Sequence, residues 1–159
     1  MRKLVIMCDV MVLAISAPHP FPAHYISEAQ APIRELKDYS VVELIDYYSA
    51  LYDQDPALMR KVAECESKYN TTILGDGGRA FSVFQFHKGT FERWSKERGE
   101  PLDYKSYHDH IKLAVWSFAQ GEKYRNAWTS YVAIKRGGEY SFYSKLLKKH
   151  FTVYCKLVK

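Results

Sequence analysis

The sequence predicts an α+β domain that is predominantly α-helical, with a single small β-hairpin set among the helices. Apolar residues recur at helical spacing through most of the chain. Helix-start signals precede several of those runs. One glycine cluster, Gly75-Asp76-Gly77-Gly78, interrupts the helical pattern as a tight turn does. The chain has 159 residues, 47% of them hydrophobic and 26% charged, which suits one globular domain and excludes a disordered chain.

The elements follow in order. Ser40-Val-Val-Glu43 has the capping-box spacing, and Val42, Leu44, Ile45 and Tyr48 continue it as a helix. Asp55-Pro56 starts the next one, with Asp as N-cap and Pro at the first helical position, over about 56 to 69. Residues 70–79 then form the hairpin. Beyond Phe81 to Phe86, a helix through Thr90 and Trp94 stops at Gly99. Residues 108–120 place Ile111, Ala114, Val115 and Phe118 on one face, and Gly121 ends them. A further helix carries Trp128, Tyr131 and Ile134 up to Gly137-Gly138. A last, basic helix is expected over about 139 to 150, packed with its tail (138–159) on the same domain.

The N-terminus reads differently. Arg2 and Lys3 precede a short apolar run from Leu4 to Ala17, and three prolines follow within residues 18–22. That is the layout of a secretory leader or short membrane anchor over residues 1–29, despite Asp9 within the run; the domain then spans 30–137. Export takes Cys8 away with the leader and leaves Cys65 and Cys155, an even pair whose sequence separation says nothing about distance. Three cysteines exclude a disulfide-dense scaffold, and no apolar run reaches the ~18 residues of an ordinary membrane span. The net charge of +5 fits nucleic acid, anionic lipid or anionic polymer equally. No nucleic-acid-binding motif accompanies it, so no nucleic-acid partner is expected. Residues 135–159 hold six lysines and Arg136 against Glu139 alone, a net +6. That is a solvated face or a contact with anionic wall polymer or a membrane surface.

One residue breaks its pattern. In the helix 56–69, Leu58, Met59, Val62 and Ala63 form an apolar stripe, and extending it by four from Val62 reaches Glu66. Glu64 lies about 200° around the wheel from that line. A carboxyl group against apolar walls loses solvation, which raises its pKa and keeps it protonated near neutrality. A general acid needs that property to donate to a glycosidic oxygen. The plainer reading is a glutamate at a helix end that reaches water or an arginine.

Ala63-Glu-Cys-Glu-Ser67, then Phe81-Ser-Val-Phe-Gln-Phe86, then Thr90-Phe91 resembles the lysozyme-like transglycosylase superfamily, most closely its resuscitation-promoting-factor and related transglycosylase-like domains. The resemblance covers roughly residues 40–135. It implies a lysozyme-like fold with the hairpin directly after the helix that carries the catalytic glutamate. Glu66 would protonate the bond between N-acetylmuramic acid and N-acetylglucosamine, with Ser67 orienting it. Gln85 would sit in the cleft and bond the sugar or the acid; Trp128 would also bind substrate, and Tyr131 would take the place of the family's third-motif tyrosine. Ser82 stands where a glycine is usual and is expected to narrow the cleft floor. In these relatives the cysteine before the glutamate pairs with one near the later tryptophan. Ser130 occupies that neighbourhood here, so Cys65 pairs with Cys155 or remains free.

The expected function is therefore that of an exported, monomeric peptidoglycan lytic transglycosylase or lysozyme-type muramidase, with glycan strands as partner and no cofactor or metal. The alternative is a weakly active or non-catalytic glycan-binding module of the same fold, attached to an envelope or secretion assembly. The nearest second carboxylate, Asp76, reads as a turn residue between glycines, which favours the one-carboxylate transglycosylase. His108 and His110, two apart on a helix, face different ways and are expected at the surface.

Overall fold

The computed structural model describes residues 35–144 and 148–155; the expected leader and its processing site lie outside them. Among the described residues there are six α-helices and two small antiparallel sheets: α1 Val41–Leu51, α2 Pro56–Ser67, β1 Leu74–Gly75, β2 Ala80–Phe81, β3 Phe86–His87, α3 Lys88–Arg98, α4 Tyr107–Ala119, α5 Glu122–Arg125, α6 Thr129–Lys135, β4 Glu139–Ser144 and β5 Lys149–Tyr154. The chain is a mostly helical α+β domain, and no described helix is long and apolar enough to cross a membrane.

The start signals act as their chemistry requires. The Ser40 N–H donates to Glu43 Oε2 at 2.7 Å while the Glu43 N–H donates to Ser40 Oγ at 3.3 Å, closing the capping box of α1. The Asp55 carboxylate accepts from the Ala57 N–H at 2.8 Å, with Pro56 opening α2. Gly99 ends α3 at φ 79°, a left-handed position that glycine enters without a Cβ penalty.

The core is aromatic. Phe84, Phe86, Phe91, Trp94, Phe118 and Trp128 pack mostly edge to face, over Leu44, Ile45, Met59 and Val62. The first sheet has three short strands where a two-stranded hairpin was expected, because the 82–85 turn drives Val83 and Phe84 into the core and brings β3 back beside β2. His110, expected at the surface, belongs to this core. It is fully buried, and its Nε2–H donates to the Tyr104 carbonyl at 2.8 Å. Burial pushes its pKa down to about 4, so the ring is neutral at pH 7.

The basic C-terminal helix is corrected to a β-hairpin, β4 paired with β5. Along Tyr140-Ser-Phe-Tyr-Ser144 the side chains alternate between half-buried and exposed, the period of two that a strand requires. The hairpin packs against α6, and a disulfide joins Cys155 to Cys65 of α2, with Cα atoms 5.7 Å apart.

Candidate active site

Glu66 lies in the last turn of α2. After it the backbone turns sharply through two left-handed residues, Lys68 (φ 56°) and Tyr69 (φ 62°), so the helix ends at the mouth of a cleft. The cleft measures about 660 Å³. Glu66, Gln85 and Trp128 line it together with Asp76 and Arg79 of the β1–β2 connection, His87 of β3, and Phe142, Ser144 and Phe151 of the C-terminal hairpin.

The Glu66 carboxyl group meets Ser130 at the N-terminus of α6. The Ser130 hydroxyl donates to Glu66 Oε1 at 2.5 Å, and the Ser130 backbone N–H also bonds the carboxylate. The reason lies in α6. Its N-cap is Trp128, whose indole can only donate and already donates to the Phe84 carbonyl at 2.8 Å. One of the free N–H groups of the first turn is therefore satisfied from outside the helix, by Glu66. Burial raises the Glu66 pKa and the two Ser130 bonds lower it; burial wins, and the carboxyl is held above its ordinary range. Two residues earlier the opposite holds. Glu64 faces outward, and its hydrogen bond to Lys61 at 2.8 Å lowers its pKa. Glu66 continues the apolar stripe of α2, and Glu64 lies off it.

Gln85 is fixed by backbone on two sides. Its Nε2 donates to the Ser82 carbonyl at 2.7 Å and to the Ile73 carbonyl at 3.3 Å. Its Oε1 lies against Gly75, where an added Cβ would come within 2.0 Å of it. A side chain at 75 would therefore push the Gln85 amide off its present position, although the backbone there, at φ −105°, is open to any residue. Asp76, at φ 50°, accepts from Arg79 Nη2 at 2.8 Å through one oxygen and contacts His87 Nε2 at 3.1 Å through the other.

Three expected site residues do not line the cleft. Ser67 is buried, and its hydroxyl donates to the Ala63 carbonyl at 3.3 Å, within α2; the hydroxyl that meets Glu66 belongs to Ser130. Ser82 is fully buried at φ 67°, a left-handed position that glycine would enter without strain, and the cleft floor is not narrowed by its side chain. Tyr131 is buried against Phe118, and its hydroxyl donates to Glu122 at 2.7 Å. Ser130 could not be found as a site residue in the sequence, because it stands 64 residues from Glu66 and only the packing of α6 on α2 joins them. The residues of β4 and β5 were hidden by the helical reading of that segment. Among the described residues no group of three or more His, Cys, Asp or Glu side chains could hold a metal ion.

Compared with protein-family models, with curated proteins and with solved structures, the chain matches none.

Proposed function

We propose that the chain is a peptidoglycan-cleaving enzyme of lysozyme-like fold, acting as a lytic transglycosylase with Glu66 as its general acid and base. The observation that carries the reading is one carboxyl group whose pKa is raised by burial, at a helix end that opens into a cleft with Gln85 and Trp128. The motif resemblance of residues 63–67, 81–86 and 90–91 supplies the substrate class.

The chemistry follows from one carboxyl. Protonated Glu66 gives its proton to the glycosidic oxygen as the bond from that oxygen to C1 breaks. The sugar's own 6-hydroxyl attacks C1, and its proton returns to the Glu66 carboxylate. A 1,6-anhydro end forms and no water is consumed. While Glu66 is ionised, the Ser130 hydroxyl and N–H both face the new charge, so the site stabilises the state that burial alone would oppose.

Asp76 favours a second reading, hydrolysis, because it lines the same cleft as Glu66 and could activate a water. We rank it second because both of its oxygens are engaged, by Arg79 and by His87. The function implies export, where a disulfide such as Cys65–Cys155 persists. The test is release of soluble muropeptides from purified peptidoglycan sacculi. The wild-type chain should release them, and Glu66→Gln should lower the rate roughly a thousandfold. Sacculi bound but never cut would leave the glycan-binding module in place of the enzyme.

A further inference from the structure

The C-terminal hairpin has two unlike faces. Pairing of Tyr140 with Val153, Phe142 with Phe151 and Ser144 with Lys149 puts these six side chains on one face. The opposite face carries Glu139, Ser141, Tyr143, His150, Thr152 and Tyr154, all exposed. The base of the hairpin is tied down by the Cys65–Cys155 disulfide, by the Cys155 N–H on the Gly138 carbonyl at 2.8 Å, and by the Arg136 guanidinium 4.7 Å from the centre of the Tyr140 ring. Further out, Phe142, Ser144 and Phe151 line the cleft that holds Glu66.

Tyr140, Phe142 and Phe151 make a run of nearly parallel rings, with successive centroids 5.6 and 5.8 Å apart and planes 19° and 22° from parallel. Beyond it, on the same face, the Lys149 ammonium sits 5.7 Å from the centre of the Phe151 ring. Across the cleft from these rings the lining mixes polar side chains, Glu66, Asp76, Arg79, Gln85 and His87 among them, with the apolar surfaces of Phe86 and Trp128. A ligand filling this space needs an apolar face toward the rings and hydrogen-bonding groups toward the sheet and helix ends. A pyranose ring has that division, with C–H bonds across its face and hydroxyl and acetamido groups around its rim.

Resting on the glycan-cleaving reading above, we propose that the hairpin is a second substrate-binding wall: Phe142 and Phe151 stack on a pyranose of the strand, and Lys149 meets a carboxylate of the peptide stem that the strand carries. Lys149 then contributes to substrate selection at the outer end of the stacked rings, where an anionic group of the strand meets it. The wall also makes the disulfide functional, since that bond fixes the wall to the helix that carries the acid.

The test uses the Glu66→Gln chain, so that ligand is bound without turnover. Its affinity is measured by calorimetry for chitotetraose, which has no carboxylate, and for a peptidoglycan tetrasaccharide with peptide stems. Phe142→Leu/Phe151→Leu keeps apolar volume at the hairpin, and retention of the disulfide is checked by thiol titration. This variant should bind both ligands roughly tenfold more weakly. Lys149→Ala, at an exposed position, should weaken only the stem-bearing ligand, roughly threefold. Unchanged affinity in both variants would overturn the wall while leaving the glycan reading intact. Binding of neither glycan by the Glu66→Gln chain would overturn the glycan reading itself. A wild-type dimer that the leucine variant dissociates would assign the face to a second copy of the chain and so refute the proposal.

Discussion

Breaking the Cys65–Cys155 disulfide is the perturbation whose size follows most directly from the fold. The bond joins residues 90 apart in sequence. For a loop of that length the chain-entropy relation gives about 4.6 kcal/mol of stabilisation, by restricting the unfolded chain. A domain of this size has a total stability of roughly 5–15 kcal/mol, so the bond supplies a large share of it. With a urea dependence of about 2 kcal/mol per molar, reduction should lower the unfolding midpoint by about 2 M. The assay is equilibrium urea unfolding followed by tryptophan fluorescence, since Trp94 and Trp128 sit in the aromatic core. Oxidised wild type is compared with reduced wild type and with Cys65→Ser/Cys155→Ser, and the last two should coincide. A midpoint change below about 0.5 M would refute the reasoning. It would mean that the hairpin leaves the domain without unfolding it.

Three further outcomes are expected. Ser130→Ala removes a hydrogen bond to the ionised form of Glu66, so the pKa rises further and the alkaline limb of kcat/KM for sacculus digestion should move up by about one pH unit. An unmoved limb would dismiss Ser130 as its partner. His110 titrates near 4 in the fold against about 6.5 unfolded. The unfolded chain therefore binds the extra proton first, and stability present above pH 6.5 should be lost as pH falls through 4. The loss is up to roughly 3 kcal/mol, read as the urea midpoint against pH and absent in His110→Gln. Ser82→Gly removes a left-handed non-glycine residue and a buried hydroxyl without a hydrogen-bond partner, so it should raise stability by about 1 kcal/mol. A lower melting temperature would contradict that account of the 82–85 turn.

What could be read from the sequence depended on how local the signal was. The capping box at Ser40, the Asp55-Pro56 start and the Gly99 stop are chemistry within three or four residues, and each element formed where they put it. The inward direction of Glu66 was also local, because helix periodicity alone separates it from Glu64. The C-terminal hairpin was missed although Tyr140, Phe142 and Ser144 alternate with exposed neighbours. Its lysines suggested an amphipathic helix, and strand pairing between 139–144 and 149–154 decided otherwise. Ser130, and the joining of the first sheet to the last hairpin across one cleft, depend on packing between distant segments. No short window of sequence carries that information. Ser67 and Ser82 show the converse, polar residues inside a motif that do not reach the cleft: the Ser67 hydroxyl bonds its own helix, and the Ser82 hydroxyl is buried without a partner.

The central claim is that Glu66 cleaves glycan strands with a single carboxyl group. Mass spectrometry of the muropeptides released from sacculi by the wild-type chain and by Glu66→Gln tests it most directly. Products with 1,6-anhydro ends are expected from the wild type and almost none from the variant. Equal product from Glu66→Gln would contradict the assignment of the acid, and reducing ends from the wild type would transfer the second half of the reaction to water and Asp76.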